Sequence, residues 1–476
     1  VNDLASIINA QNARPIWRKL RASIVPIVSN EDYREIESVV NSLCNDIKIN
    51  RYIPEICHGY LGYPKSSGCT RFVPIISKED LTIYYLLALS FQDYLVKDLP
   101  GVYGAWRSVP MNANKELDLS SIQSEEDAVE NEVIDPYFSD TLSKKAWFKN
   151  WSSFTELMAE TCRDSTIGNY VLVSDIANFY DTIDINRLCE NLRSDIQGHN
   201  DSISLLKHFL QYWDRRVKGY IPSSKGIPQE IISDASRMLA NYYLRYFDEK
   251  FIDLCRSSKV TYIRWADDIV IFGSSPRKLE NIMHRGSRLL LNIGLNLNAA
   301  KTRHYTRVEY REYRVLDLLD HINSGSVQKY ETELKRIVKR HPSKPCRIDT
   351  VIKASLNMLS KHKDARTLFS KNFLDQELAK FENLSMLNEG QLWKKCLILG
   401  NIEKNIRRDI EILIAYPYAA PRATYISFLA KYNKRLVGLG LDLNFIRRSI
   451  EKIKSYSGSS EIVEKICCPR AVKNIG

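Results

Sequence analysis

Val260-Thr261-Tyr262-Ile263-Arg264-Trp265-Ala266-Asp267-Asp268-Ile269-Val270-Ile271-Phe272-Gly273 is the stretch that decides how this chain folds. Two β-branched and aromatic runs flank an acidic pair, and a Gly and two Ser close the second run. The stretch therefore reads as a tight hairpin with Asp267 and Asp268 at its tip. Adjacent acids on a turn are ordinarily just solvated. A third carboxylate upstream changes that weighing. Val171-Leu172-Val173-Ser174-Asp175 is a short apolar run leading into an acid, which reads as a buried strand ending at Asp175. Phe179 and Tyr180 follow at the fourth and fifth positions after it.

Three carboxylates on strand ends suit phosphoryl transfer by two divalent ions held about 3.5–4 Å apart. Mg²⁺ takes oxygen ligands and keeps several waters, so a few carboxylates and the substrate phosphates complete its shell. Between the acids lies Gly226-Ile227-Pro228-Gln229, a Gly/Pro loop, with Ser233 or Asp234 placed to cap the helix that follows.

In this order and spacing the segments resemble the palm of reverse transcriptases. Asp175 with Phe179-Tyr180 looks like the first metal motif, Gly226–Gln229 like the template-and-substrate loop, and Trp265-Ala266-Asp267-Asp268 like the aromatic-x-Asp-Asp box. Gly294-Leu295-Asn296-Leu297-Asn298 with Lys301-Thr302 is similar to the segment that follows the box. Upstream, Arg71–Asp80 and Gly101–Arg107 resemble fingers motifs. The resemblance implies an α+β fold: right-hand fingers and palm, with an antiparallel palm sheet and helices, then an all-α C-terminal domain, repeat-like in its helical spacing. The expected divisions are an N-terminal helical segment at 1–66, fingers at 67–170 with an acidic insertion near 110–135, palm at 171–310, and a helical thumb or C-terminal domain at 311–476.

The roles implied by the resemblance follow residue by residue. Asp175 and Asp267 hold the ions with the backbone carbonyl of Ile176, and Asp268 is the adjacent acid on the primer side. Mg²⁺ is the expected ion, with Mn²⁺ as an alternative. Tyr180 stands where a ring excludes a 2′-hydroxyl, and Gln229 where the incoming nucleotide or terminal pair is touched. Arg71, Lys78 and Arg107 are candidates to clamp phosphates, as Arg forks do. Lys301 is a candidate general acid for the leaving pyrophosphate. Trp265 borders the primer region, bulkier than the usual Tyr or Phe.

No His-Asn-His nuclease or zinc pattern follows the palm-like region, and the layout looks more like the abortive-infection and other defence-associated bacterial reverse transcriptases. Asp234-Ala235-Ser236-Arg237 is similar to their version of the substrate-loop helix. One departure stands out. Gln229 is followed by Glu230-Ile231-Ile232, where the family loop has a glycine that admits a strand closely. Unusual or absent templating is the expectation this raises. Expected partners are deoxynucleoside triphosphates, a DNA product, a non-coding RNA as a further candidate, and a second copy of the chain as another. The alternatives are a conventional RNA-templated enzyme of retron or intron type and a non-catalytic nucleic-acid-binding scaffold.

Composition agrees with a polyanionic partner: the 476-residue chain has a net charge of +11. The surplus lies in residues 311–476, with 31 Lys/Arg against 18 Asp/Glu, and a solvated helical surface explains it equally well. Ten scattered cysteines without a CxxC pair argue for a reducing, cytoplasmic setting and against a zinc site. No apolar run approaches the roughly 20 residues of a membrane span, so no membrane partner is expected. Trp147, Phe148, Trp151 and Phe154, interleaved with Lys144, Lys145 and Lys149, fit base stacking, but their helical spacing favours core packing.

Overall fold

The computed structural model describes residues 3–28, 36–55, 57, 59–65, 69–110, 118, 141–214, 226–229, 233–340 and 346–456. At its centre is a five-stranded sheet of order β3-β5-β6-β4-β7. The strands are β3 (Val102–Tyr103), β4 (Tyr170–Asp175), β5 (Thr261–Trp265), β6 (Asp268–Gly273) and β7 (Arg303–Thr306). β5 and β6 form the expected hairpin, and β4 inserts antiparallel between β6 and β7. The sheet is mixed rather than antiparallel throughout, because β3 runs parallel to β5. The Arg264 N–H donates to the Gly101 carbonyl at 2.8 Å and the Ala266 N–H to the Tyr103 carbonyl at 3.1 Å.

Side chains alternate across the sheet. Leu172, Ile269 and Ile271 enter a core shared with Phe247 and Phe251 of the Asp234–Ser257 helix and with Leu279 and Ile282 of the Pro276–Leu291 helix. Ser275 caps the latter through the Lys278 N–H, and Pro276 opens it, as the sequence predicts. At the start of the Asp234–Ser257 helix the expected capping is absent: Ser233 occupies the cap position at φ +59 without a side-chain cap bond. Asp234 instead accepts hydrogen bonds from Thr141 Oγ1 and the Leu142 N–H, both at 2.8 Å, and from Ser108.

The other face carries Val171, Ile263, Val270 and Phe272. These pack with Phe154 and Met158 of the Lys144–Arg163 helix and with Tyr310 of the Arg307–Tyr313 helix.

The expected N-terminal helical segment includes the helices Ala10–Val28 and Ile36–Lys48, but it ends in a strand. β1 (Gly59–Pro64) pairs antiparallel with β2 (Thr70–Ile75). Its Gly-Tyr-Leu-Gly-Tyr-Pro sequence has neither helical period nor strict alternation, and the pairing with β2 supplies what local propensity lacks. Leu61 and Ile75 of this hairpin are buried in the core of the C-terminal helices, so the hairpin bridges the two ends of the chain.

Every described element after β7 is helical. Within that region Lys395 and Asp409 form a buried ion pair, and the Tyr425 hydroxyl donates to Asp409 at 2.9 Å. Among the described residues no helix is long and apolar enough to cross a membrane, and eight cysteines are free thiols. The acidic stretch near 110–135, except Pro110 and Asp118, and Glu230–Ile232 lie outside the described residues.

Candidate active site

The β5–β6 turn is built from Ala266 and Asp267, with Trp265 paired to Asp268. Ala266 takes the left-handed φ of +52, a conformation that needs outside support in a non-glycine residue. Asp268 is the first residue of β6 and lies opposite Asp175, the last residue of β4. By alternation both carboxylates project from the face that bears Val270 and Val173. The Ile176 N–H donates to the Asp267 carbonyl at 3.2 Å, so all three acids sit within one local hydrogen-bonded frame.

The segment after the Pro276–Leu291 helix closes that frame. Leu297 bridges Ile176, the Asn298 N–H donates to the Asp175 carbonyl at 2.7 Å, and the Ala177 N–H to Asn296 at 2.8 Å. A short 3-10 turn, Ala299–Lys301, then brings the Lys301 ammonium to 2.5 Å from Asp175 Oδ2.

Charge is concentrated here. Asp267 is half-buried in the turn, and Asp268 is exposed at the start of β6. Burial, then the neighbouring Asp268 and Asp175 charges, push the Asp267 carboxyl up to about 7. Burial and Asp175 raise Asp268 as well, against the guanidinium charges of Arg314 and Arg347. Burial works to lower the Lys301 ammonium, but its bond to Asp175 and the other two carboxylates win and hold it above its ordinary value.

The β1–β2 hairpin adds cations that the sequence reading only half identified. Arg71 stands opposite Tyr63 on β2. Lys65, just beyond β1, was not singled out. Its ammonium is held below the ordinary value by burial and by Arg71 and Lys301, while Asp175 and Asp267 pull it up. Lys65, Arg71 and Lys301 thus share one electrostatic neighbourhood with the carboxylates. A lysine in a turn after Pro64 carries no sequence signal that separates it from a solvated one.

The other two predicted clamps are engaged elsewhere. Lys78 is buried at the start of the Lys78–Ser90 helix, 6.0 Å over the Trp17 ring. Arg107 donates to Asp93 at 2.9 Å and to the Val96 carbonyl at 2.8 Å.

The Gly226–Gln229 loop docks directly on the first acidic motif. The Ile227 N–H donates to the Tyr180 carbonyl at 3.0 Å. A Cβ on Gly226, whose φ is +57, would fall 1.9 Å from that carbonyl oxygen. Ser236 Oγ holds the Pro228 carbonyl at 2.5 Å and contacts the Tyr84 hydroxyl at 2.8 Å, which leaves Gln229 half-buried at the loop's end. Tyr180, also half-buried, has its ring tilted 5.5 Å from Phe179. Trp265 packs into an aromatic wall on the carboxylate face, 4.9 Å from Trp151 and 5.1 Å from Phe154.

Residues 127–333 match the family described as reverse transcriptase (RNA-dependent DNA polymerase). The chain carries a reverse transcriptase domain. A relative, the Retron Ec83 reverse transcriptase of Escherichia coli, is 28% identical over 163 residues, covering 31% of this chain and 50% of the relative. The chain therefore spans about half the length of that curated relative. Telomerase from Candida tropicalis superposes with a TM-score of 0.36 at 12% identity, covering 95% of this chain and 73% of that one. Telomerase from Candida albicans, in complex with a fragment of telomeric RNA, gives 0.35 at 10% identity over 83% and 67%. Superpositions this loose establish no shared topology.

Reverse transcriptases generally use divalent metals. The donor set in this reverse transcriptase domain is all oxygen, three carboxylates and the backbone around Ile176, which suits a hard cation. Burial and then mutual repulsion raise two of the carboxyls, and a bound cation offsets both. Among the described residues no three Asp, Glu, His or Cys side chains are already drawn together at ligand distances. The donors fit in kind and charge, and side-chain rotation is required to close them on an ion.

Proposed function

We propose that the chain is an RNA-directed DNA polymerase-like nucleotidyltransferase, adding deoxynucleotides to a 3′ or protein hydroxyl. The observation that carries this reading is the register of Asp175 against Asp268, with Asp267 beside them and Lys301 on Asp175. Asp175, Asp267 and the Ile176 carbonyl would hold Mg²⁺, with Asp268 supporting. A bound divalent ion supplies acidification of the attacking hydroxyl and neutralisation of charge on the departing pyrophosphate.

The chain's own residues do the rest. Lys65 and Arg71 add positive charge beside Lys301 and attract the triphosphate to the carboxylate end of the sheet. Tyr180, fixed by its carbonyl to the substrate loop, presents a ring that excludes a 2′-hydroxyl. Gln229 meets the incoming nucleotide or the terminal base pair. The Lys301 ammonium, kept protonated by the three carboxylates, donates a proton to the leaving pyrophosphate.

Templating is restricted in this reading. The sheet face that carries Asp175 and Asp268 is covered further along its strands by Phe154, Met158 and Tyr310, which leaves little open sheet for a long duplex. A role in cytoplasmic antiphage defence completes the proposal. The retron relative favours a second reading, RNA-templated synthesis that needs one cognate transcript.

The deciding experiment offers purified protein each labelled deoxynucleotide with Mg²⁺, with and without RNA, and sizes the products after nuclease or protease. DNA made without RNA supports restricted templating, and synthesis only with one transcript supports the second reading. No product under any condition overturns both and leaves a non-catalytic nucleic-acid-binding protein.

A further inference from the structure

Arg264 is the largest fully buried side chain of the described residues, and its partner Asp248 is equally shut off from solvent. Arg264 Nε donates to Asp248 Oδ1 at 2.9 Å and Nη2 to Asp248 Oδ2 at 2.5 Å. Nη2 also reaches Asn241 Oδ1 at 2.8 Å, and Nη1 donates to the backbone carbonyl of Ala266 at 2.5 Å. The Tyr262 hydroxyl completes the set, donating to Asp248 at 2.7 Å. Asn241 and Asp248 are seven residues apart on the Asp234–Ser257 helix, two turns along one face.

A fully buried ion pair is a poor device for stability alone, since apolar residues of similar volume often serve as well or better. Its distinguishing product is direction. Here the directed bond falls on Ala266, the left-handed residue immediately before Asp267. The Ala266 peptides are gripped from two sides, the N–H by the Tyr103 carbonyl and the C=O by Arg264. The same helix holds the Gly226–Gln229 loop at its N-terminal end through Ser236 and Pro228. One rigid element thus fixes both the substrate loop and the acidic turn.

We propose that Arg264 is a positioning residue for nucleotidyl transfer: acting through the Ala266 carbonyl, it ties the Asp267–Asp268 turn to the Asp234–Ser257 helix and sets the carboxylates' alignment against Asp175. The inference rests on the polymerase reading above. Lysine cannot replace it, because a single ammonium cannot span Asp248, Asn241 and Ala266 in the planar geometry of a guanidinium.

Three variants test this: R264K, the apolar pair R264M/D248L, and N241A, which removes one anchor and leaves the ion pair. Each is measured for melting temperature, for kcat and nucleotide KM, and for Mn²⁺ affinity by electron paramagnetic resonance without substrate. In R264K and the apolar pair, kcat and Mn²⁺ affinity fall about 10–100-fold, the range for lost ligand-orienting partners, while nucleotide KM holds within threefold. N241A shows a smaller loss of the same pattern. The decision is read on whichever variant melts closest to wild type. Wild-type kcat and Mn²⁺ affinity in that variant overturn the inference, since a purely structural role moves only the melting temperature. If wild-type protein binds Mn²⁺ but incorporates no nucleotide, the polymerase reading fails while the Mn²⁺ comparison still decides the role of Arg264.

Discussion

Gly104 lies against Ala266 so closely that a Cβ on Gly104 would come within 2.5 Å of the Ala266 nitrogen. Its φ of +102 is also one that L side chains rarely adopt. The contact joins the end of β3 to the acidic turn, so backbone packing and the site's geometry are one problem here. Gly104→Ala is expected to lower stability by about 2–4 kcal/mol, from clash and backbone strain together. Polymerase activity per folded molecule falls too, because the turn must move to make room. Thermal melts alongside active-site-normalised rates check both parts.

Lys65 and Arg71 are expected to act on substrate binding rather than on the chemical step. Lys65→Ala removes one cation from the neighbourhood of Asp175 and Asp267 and raises nucleotide KM by about tenfold, equivalent to about 1.4 kcal/mol, with kcat little changed. Steady-state kinetics with one labelled deoxynucleotide distinguish this from a loss of turnover.

Gly226→Ala places a methyl against the Tyr180 carbonyl, where there is no room for it. The Gly226–Gln229 loop must lift away, breaking the Ile227 to Tyr180 hydrogen bond. The expected result is weaker nucleotide binding and poorer rejection of ribonucleotides, since Tyr180 loses its anchor. Competition between deoxy- and ribonucleotide measures it.

Asp80 provides a test of stability against pH. Burial pushes its carboxyl up to about 6, despite hydrogen bonds from the Tyr52 hydroxyl and the Glu55 N–H that favour the ionised form. The folded-state value lies above the unfolded one, so the folded protein binds the proton more tightly. Its contribution is therefore fully present below about pH 4 and is lost as pH rises through 6, a difference of about 3 kcal/mol. Asp80→Asn is expected to flatten the pH dependence of melting between 4 and 6 relative to wild type.

The legible part of the structure is the part written in local patterns. The alternating runs on either side of Asp267-Asp268, the apolar run into Asp175 and the Ser275-Pro276 start of a helix all fold as their residues predict. That Asp175 meets Asp268 is a pairing across 92 intervening positions, visible only through the order of family motifs. β1, with two glycines and a proline in six residues, carries no period, and β3, two residues in parallel pairing, leaves none to read. Arg264 looks in sequence like any basic residue in a strand, since its partners Asn241 and Asp248 lie on a helix outside the motif. Pairs within the domain, such as Arg336 with Glu333 and Arg408 with Asp375, leave the C-terminal basic surplus intact, whereas Arg314 and Arg347 direct part of it at Asp268 of the acidic turn, which composition cannot reveal.

Asp175, Asp267 and Asp268 act as one catalytic carboxylate set in the proposed reaction. Mg²⁺-dependent incorporation of labelled deoxynucleotide by wild-type protein and by Asp267→Asn, which keeps the side chain's shape and removes its charge, decides whether they do. Incorporation by the wild type and background signal from the variant, with matching melting temperatures, is the predicted result. Equal incorporation by the two proteins would contradict it.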